Sequence, residues 1–244
     1  EADTSYDATL RSASGLVGGD GAKLEAFRQK QNRLIGDFLT EVMEKAVKMS
    51  ESNACMKRIV AAPTAGSCGV IPAVLLTYED QREVSQDRLV EALFVAAGIG
   101  EVIAASASIA GAEGGCQAEC GAAASMAAAA ITQLCGGTPE QCFEAGAIAM
   151  KNVMGLVCDP VAGLVEMPCT KRNASGVTNA ILCCDLAMAG ITSHIPFDEV
   201  VDSMFRVGKA LPSTLRETAL GGIATTPTGI ALKEKIFGGG GCSG

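Results

Sequence analysis

The chain has 244 residues, of which 48% are hydrophobic, 4% are aromatic and none is Trp, and its formal net charge is −8. Because it is acidic and poor in aromatic residues, it lacks the Lys and Arg clusters and stacking surfaces that nucleic-acid binding requires, so a small molecule is the expected ligand. The length suits one domain, residues 1–244, and the mean hydropathy of +0.30 predicts a dense core or a subunit interface.

Helical periodicity dominates the sequence, which predicts a mainly α protein: a single compact helical domain with functional loops between the helices. Apolar residues recur at helical spacing over 23–49 and 88–110, and Gly98 and Gly100 mark a break in the second of these helices. Small residues over 120–134 predict a tightly packed buried helix. No membrane-spanning segment is expected there, since Ala and Gly gain little free energy in hydrocarbon.

A capping box marks the next helix. Thr138, Pro139 and Gln141 supply an N-cap, a first-turn proline and the third-position partner, which predicts a helix from there to Gly155. The other predicted elements are helices over 175–189 and 196–211, a strand-like run over 58–62, and a flexible Gly-rich tail over 235–244.

The chain has eleven cysteines, a large and odd number for its length. A disulfide framework is typical of short secreted proteins, whereas this chain is long and apolar, and residues 1–21 are too polar for a secretory signal. We therefore expect a cytoplasmic protein with reduced thiols, some of which bind metal.

Five cysteines stand beside Gly or Pro in loops and are candidate ligands: Cys68, Cys116, Cys158, Cys169 and Cys242. The others fall among helical residues and are interpreted as small buried hydrophobes. Zinc is poorly supplied, because there is no CxxC pair and the one histidine, His194, is interpreted as a helix-start or surface residue. Thiols so far apart suit a cluster seated between helices, although Cys116 and Cys120 form a rival pair four residues apart.

Five long segments carry a family resemblance. They are SGLVGGDGAKL at 14–24, IVAAPTAGSCGVIPAVL at 59–75, GAEGGCQAECGAAASMAAAA at 111–130, GLVCDPVAGLVEMPCTKRNA at 155–174 and ETALGGIATTPTG at 217–229. Together they closely resemble the alpha (catalytic) chain or domain of the bacterial iron–sulfur L-serine dehydratases.

The resemblance implies a lyase that eliminates water from L-serine and releases pyruvate and ammonia. It implies a 4Fe–4S cluster held by Cys116, Cys158 and Cys169, with one iron left open as a Lewis acid for the serine hydroxyl and no need for pyridoxal phosphate. It also implies a second, smaller beta chain or domain and an oligomeric assembly.

The substrate would need one group for its carboxylate and another for its ammonium. The loop at 63–69 offers backbone N–H groups and hydroxyls to the carboxylate, and the alternative is an ordinary tight turn. The candidate substrate-binding residues are Thr64, Gly66, Ser67, Lys171, Asn173, Thr226 and Thr228. Glu113 and Glu166 are candidates for the ammonium, with a salt bridge or a helix cap as the alternative, and no residue is assigned as the α-proton base.

Other functions stay open on the sequence alone. A related lyase would use the same cluster for L-cysteine desulfidation or L-threonine dehydration. A non-catalytic iron–sulfur carrier is less favoured, because it would be expected to have four protein ligands or an exposed cluster.

The resemblance also implies that a cysteine near the C-terminus can occupy the open iron at rest, and Cys242 matches that position. Ordering the glycines at 238–241 costs roughly 1–2 kcal/mol per residue, which an iron–thiolate bond can offset. We predict that deleting residues 238–244 leaves the three-thiolate cluster intact, speeds its loss in air and lowers the apparent KM by removing an internal competitor. Unchanged air sensitivity and unchanged KM would favour the alternative, a disordered tail with an incidental thiol.

Overall fold

Residues 5–30 and 33–238 are described by a computed structural model, and α-helices form almost all of their regular structure. In chain order these are α1 (Asp20–Arg28), α2 (Asp37–Ala54), α3 (Val70–Gln81), α4 (Gln86–Ser106), α5 (Gly111–Gly114), α6 (Ala122–Leu134), α7 (Pro139–Asn152), α8 (Cys169–Met188), α9 (Phe197–Ala210) and α10 (Pro227–Phe237). The described part of the chain has no β-strand, only an isolated bridge between Cys158 and Arg216. The mainly α prediction is confirmed, and the strand predicted over 58–62 is wrong.

Helix α6 lies at the centre and packs against α3, α4, α7 and α8. Each of its residues except Gln133 is buried, as predicted from its small side chains. Small side chains let neighbouring helices approach closely, and the Ser125 hydroxyl donates a hydrogen bond of 2.8 Å to the Gly146 carbonyl of α7. The core is therefore built around a helix whose sequence had no amphipathic stripe to mark it.

The predicted helix over 23–49 is wrong, because two helices occupy this range. α1 folds back on α2, and Arg28 forms ion pairs of 2.8 Å with Glu41 and Glu44 of α2. The Glu51 carboxylate of α2 also accepts the Asp20 N–H at 2.8 Å, at the start of α1 where helix N–H groups lack partners. Both faces of α2 are thus covered, the polar one by ion pairs.

The remaining helix boundaries follow local signals with some exceptions. The Thr138 capping box is present in full. α4 runs through Gly98 and Gly100 without a break, and α8 begins at Cys169, six residues earlier than predicted. The predicted tail begins later than 235, because α10 continues to Phe237.

Helix α4 has an outward apolar face, formed by Val90, Leu93 and Phe94, which are 48%, 50% and 73% exposed. It is long and apolar enough to cross a membrane by length and composition, with 22% of its most apolar 18 residues buried. The same composition suits a helix that packs against another protein. The expectation of no membrane-spanning segment stays a prediction.

Candidate active site

Buried cysteines from separate segments meet at one end of α6. Cys116, Cys120 and Cys158 pack together, with exposed fractions of 2%, 4% and 4%. Cys169, also buried, is close enough for its charge to raise the pKa of Cys120. The structure therefore brings together the three cysteines that the resemblance implied as ligands, with the rival Cys120 among them.

The backbone of Cys116 is held by its buried neighbour Gln117. The Gln117 side-chain amide donates to the Gly114 carbonyl at 2.9 Å and to the Met204 carbonyl of α9 at 3.0 Å. Its side-chain oxygen accepts the Gly155 N–H at 2.8 Å. Both polar atoms of the buried Gln117 side chain therefore have hydrogen-bond partners. These bonds fix Cys116 against α9 and the turn after α7.

Cys158 is held by a short backbone pairing with the segment after α9. Its N–H donates to the Leu215 carbonyl at 2.9 Å, and its carbonyl accepts the Glu217 N–H at 2.7 Å. This pairing brings Glu217 beside the cysteines. Glu217 has a φ of 63°, a left-handed conformation that costs a non-glycine residue about 1–2 kcal/mol. Strain of this kind is most common at functional sites.

The ionisation of the thiols depends on burial and on one guanidinium. Burial raises the pKa of Cys169 to about 12 and raises that of Cys158 as well. The pKa of Cys116 is lowered instead, first by a hydrogen bond from Cys120 and then, against burial, by the positive charge of Arg172. Arg172 is positioned by hydrogen bonds to the Val157 carbonyl at 2.9 Å and to Asp159 at 2.8 Å.

These residues fit an iron–sulfur cluster better than a single metal ion. Over the described ranges, no group of three or more His, Cys, Asp and Glu side chains is placed to hold one ion. A cluster is larger and accepts hydrogen bonds at its sulfur atoms. Next to the cysteines, the buried Thr170 hydroxyl and Arg216 Nε have no hydrogen-bond partner in the described part of the chain, although buried donors normally do. Three thiols, a guanidinium and two donors together suit an anionic cluster.

The loop predicted to bind the substrate carboxylate lies against a carboxyl group. The Thr64 hydroxyl donates to Glu119, which lies between the two cysteines of the 116–120 turn, and the Ser67 hydroxyl is 3.1 Å from that of Thr64. A β-carbon on Gly66 would lie 2.5 Å from Glu119 Oε1, so a larger residue there would push the Glu119 carboxylate out of its present place. Thr64, Gly66 and Ser67 therefore line the site together with Glu119.

Asn173 and Lys171 have structural contacts in place of the predicted contact with substrate. The buried Asn173 amide donates to the Gly66 and Cys169 carbonyls at 2.8 and 2.9 Å, and its oxygen accepts the Gly69 N–H at 3.0 Å. It positions the 66–69 loop against Cys169 and has no group left for a ligand. Lys171 is exposed and pairs with Asp20 at 2.6 Å.

The segment that carries two other candidate substrate-binding residues, Thr226 and Thr228, is largely helical. Thr226 is the N-cap of α10 and accepts the Gly229 N–H at 3.1 Å, and Thr228 is exposed in the first turn of that helix. In the described part of the chain, neither hydroxyl forms a hydrogen bond with a cysteine. This segment is linked to the site through Asp159, which accepts the Ile223 N–H at 2.8 Å.

The two glutamates predicted to bind the ammonium point elsewhere. Glu113 is exposed on α5. Glu166 is buried and accepts hydrogen bonds from Ser12, at 2.7 Å, and from Ser14. It therefore fastens the N-terminal segment to the loop before Cys169.

Three other residues from the sequence analysis lie away from this site or beyond the described ranges. Cys68 is buried and donates to the Met49 carbonyl at 3.8 Å, so it is a core thiol. His194 is exposed, as predicted, and its Nδ1 is 3.2 Å from the Thr192 hydroxyl. Cys242 lies outside the described residues.

Comparison with known proteins identifies the family. A family model described as the serine dehydratase alpha chain matches residues 2–224. The chain is 53% identical over 230 residues to the probable L-serine dehydratase alpha chain of Bacillus subtilis, covering 94% of this chain and 77% of that one. It is 47% identical over 222 residues to the L-serine dehydratase alpha chain of Peptoniphilus asaccharolyticus, covering 91% and 76%.

The chain belongs to the serine dehydratase alpha chain family. It also matches L-serine dehydratase 2 of Escherichia coli, at 44% identity over 181 residues that make up 73% of this chain but only 40% of that protein. Some relatives of this alpha chain family therefore carry a long additional region in the same polypeptide.

Two residues of this alpha-type chain were missed by the sequence analysis, Glu119 and Arg172. Both are charged residues inside segments that carry the family resemblance, and both are largely buried. Charged residues are rarely buried without a partner or a function. The available signal was therefore a charge three residues after a ligand cysteine, since Glu119 follows Cys116 and Arg172 follows Cys169 at that spacing.

The contrast between Asn173 and Lys171 gives a prediction. Asn173→Ala should lower the free energy of unfolding by about 3 kcal/mol or more, because three buried backbone groups lose their partner at roughly 1–3 kcal/mol each. Lys171→Ala, which removes an exposed ion pair, should cost less than about 1 kcal/mol. Urea unfolding of the two variants, followed by circular dichroism, provides the measurement. Equal stabilities would show that the Asn173 amide does not hold the loop.

Proposed function

We propose that this chain is the catalytic part of an L-serine dehydratase, which converts L-serine to pyruvate and ammonia. The observation that carries the proposal is the convergence of Cys116, Cys158 and Cys169 beside the loop of Thr64 and Ser67. Its relatives bear the name L-serine dehydratase, which supports this substrate.

Cys116, Cys158 and Cys169 would hold a 4Fe–4S cluster, and Arg172 would offset part of its negative charge. When bound through three thiolates, such a cluster supplies an iron with a free coordination position that acts as a Lewis acid on the serine hydroxyl. Burial of all three thiols keeps bulk water from the site. The thiols must stay reduced, in line with the expected cytoplasmic location.

The protein groups would orient the substrate. The Ser67 hydroxyl, near the N-terminus of α3, would bind the serine carboxylate, while the Thr64 hydroxyl donates to Glu119 and orients that side chain. Asn173 keeps this loop at a fixed distance from Cys169, so the carboxylate and the leaving hydroxyl are presented together. Loss of the α-proton and the hydroxyl gives an enamine, and its imine tautomer is hydrolysed to pyruvate and ammonia.

The decisive experiment is anaerobic reconstitution with iron and sulfide, followed by assay of the oxo-acid product from L-serine, L-threonine and L-cysteine. Fastest turnover of L-serine is expected. A clear preference for L-threonine or L-cysteine would favour the related lyases, and a reconstituted cluster without turnover of any of the three would favour an iron–sulfur carrier.

Substitution of single cysteines tests the ligand assignment. Cys116→Ser, Cys158→Ser and Cys169→Ser should each abolish both the visible absorbance of the cluster and the activity. Cys183→Ser is the matched control, because Cys183 is fully buried but is hydrogen-bonded to Asn179 on α8. Cys120→Ser should keep the cluster, since a serine hydroxyl can still donate to Cys116. Loss of the cluster in Cys120→Ser alone would make Cys120 the ligand in place of Cys116.

The chain is also proposed to act with a serine dehydratase beta chain. Its relatives named alpha chain imply a second chain, and L-serine dehydratase 2 carries more than this region in one polypeptide. The α4 outward face, with Phe94 at 73% exposed, is the surface proposed for this partner. An interface needs an apolar centre of this kind.

A charge placed on this face tests the partner surface. Phe94→Glu should weaken co-purification with a co-expressed beta chain by at least about 10-fold, as expected for a buried aromatic anchor. Leu182→Glu is the control, because Leu182 is 50% exposed on α8. Equal effects of both changes would exclude the α4 face, and loss of self-association by Phe94→Glu would make it an interface between copies of this chain.

A further inference from the structure

A second group of thiols lies at the opposite end of α6 from the candidate active site. Cys135 caps the C-terminus of α6, and Cys184 lies on α8. The Cys184 thiol donates a hydrogen bond to the sulfur of Cys135, so the two sulfur atoms lie within hydrogen-bonding distance. The sequence favours a small buried hydrophobe at both positions, and this is wrong for Cys135. It is exposed, whereas Cys184 is 3% exposed.

Contacts on both sides of this pair hold the end of α6 in place. A β-carbon on Gly137 would lie 3.0 Å from the sulfur of Met188, so the turn after α6 meets the last residue of α8. On the other side, the Tyr78 hydroxyl of α3 donates to the Leu134 carbonyl at 3.3 Å. The end of α6 is therefore enclosed by α3 and α8, which keeps the two thiols close together.

Cys135 is the more reactive of the two thiols. Its pKa is lowered to about 7, first by the hydrogen bond from Cys184 and then, against burial, by the Tyr78 hydroxyl, which can turn from its carbonyl acceptor to the thiolate. The charge of Arg82 favours the thiolate, and that of Asp185 opposes it. The hydrogen bond with Cys135, and then burial, raise the pKa of Cys184. An exposed cysteine that ionises near neutral pH beside a second thiol is typical of oxidation-sensitive sites.

The two helices joined by this pair both begin at the candidate active site. Cys135 follows Cys120 by 15 residues, and Cys184 follows Cys169 by the same number. Since Cys120 and Cys169 are close enough for their charges to interact, α6 and α8 run in the same direction with thiols at both ends. At 1.5 Å per residue, the two ends are roughly 22 Å apart. A covalent bond at the far end would restrain both helices without touching the candidate active site.

We propose that Cys135 is a site of reversible oxidation by hydrogen peroxide, and that the product is a disulfide with Cys184. The Cys135 thiolate attacks one peroxide oxygen, so an S–O bond forms and the O–O bond breaks. The hydroxide released takes up the proton that Cys135 had lost and leaves as water. The Cys184 sulfur then displaces the hydroxyl group from Cys135, and that hydroxyl leaves with the Cys184 proton as a second water. Two thiols are thus oxidised, one peroxide is reduced, and a small thiol can reverse the change by disulfide exchange.

The proposal does not depend on the proposed function, because the pair lies far from the candidate ligand cysteines. Its expected consequence is greater stability. The disulfide would close a loop between residues 135 and 184, which restricts the unfolded chain more than the folded one. For a domain of this size, the apparent Tm should rise by roughly 5–15 °C.

The test treats the full, reduced chain with stoichiometric hydrogen peroxide and maps its disulfides by mass spectrometry of the peptides. A disulfide between Cys135 and Cys184 is expected, and dithiothreitol should remove it. Cys184→Ser should instead accumulate a sulfenic acid at Cys135, which dimedone traps, and Cys135→Ser should give neither product. Cys183→Ser is the matched control, because it changes the buried thiol next to Cys184 and should leave the disulfide and the rise in Tm unchanged.

Three results would overturn the proposal. In the first, Cys135 stays reduced while other cysteines, such as Cys116 and Cys120, are oxidised. In the second, the unmodified chain accumulates a dimedone adduct on Cys135 without a disulfide, so Cys184 does not resolve the sulfenic acid. In the third, the peptide map pairs Cys135 with a different cysteine. If Cys184→Ser does not fold, the peptide map of the unmodified chain, before and after dithiothreitol, still decides between these results and the expected one.

Discussion

The buried side-chain amide of Gln117 is the contact on which the candidate active site depends. It joins the turn before Cys116 to α9 and to the turn after α7, so one polar side chain fixes three segments that are distant in sequence. Leaving a buried donor or acceptor without a partner costs about 1–3 kcal/mol, so these segments cannot separate one at a time. Asn173 plays the same part around Cys169. The ligand cysteines lie next to glycines and prolines, but amides in helical segments determine where they are.

Charge balance is the second constraint, and Arg172 is its centre. Buried thiols resist ionisation, whereas metal binding requires thiolates, so a permanent positive charge nearby lowers the cost of that step. Arg172 is itself partly buried, and its pKa is raised because the Cys116 thiolate and Asp159 outweigh the effect of burial. Asp159 also accepts the Ile223 N–H, so the segment before α10 depends on the same carboxylate. Electrostatics at the cysteines and the path of the chain after α9 are therefore linked.

The sequence predicted those features of the fold that depend on residues close together in the chain. The Thr138 cap and the small side chains of α6 are local, and both were found. The break between α1 and α2 was not, because it depends on ion pairs between the two helices. Asn173 and Lys171 were grouped by nearness to Cys169, yet residues two apart on a helix point to opposite sides, whereas 169 and 173 share a face. The role of Glu119 depends on loops far away in sequence, which no local pattern connects to it.

The contacts of Glu166 give the N-terminal segment an unexpected importance. Ser12 and Ser14 are bonded to this glutamate, three residues before Cys169, and Lys171, two residues after it, pairs with Asp20. The segment at 12–20 therefore holds in place the residues on both sides of Cys169. A protease that cut within this segment would leave the helical core intact but would remove the contacts that support Cys169. Once the fold has formed, the site therefore keeps its shape only as long as the segment at 12–20 stays uncut.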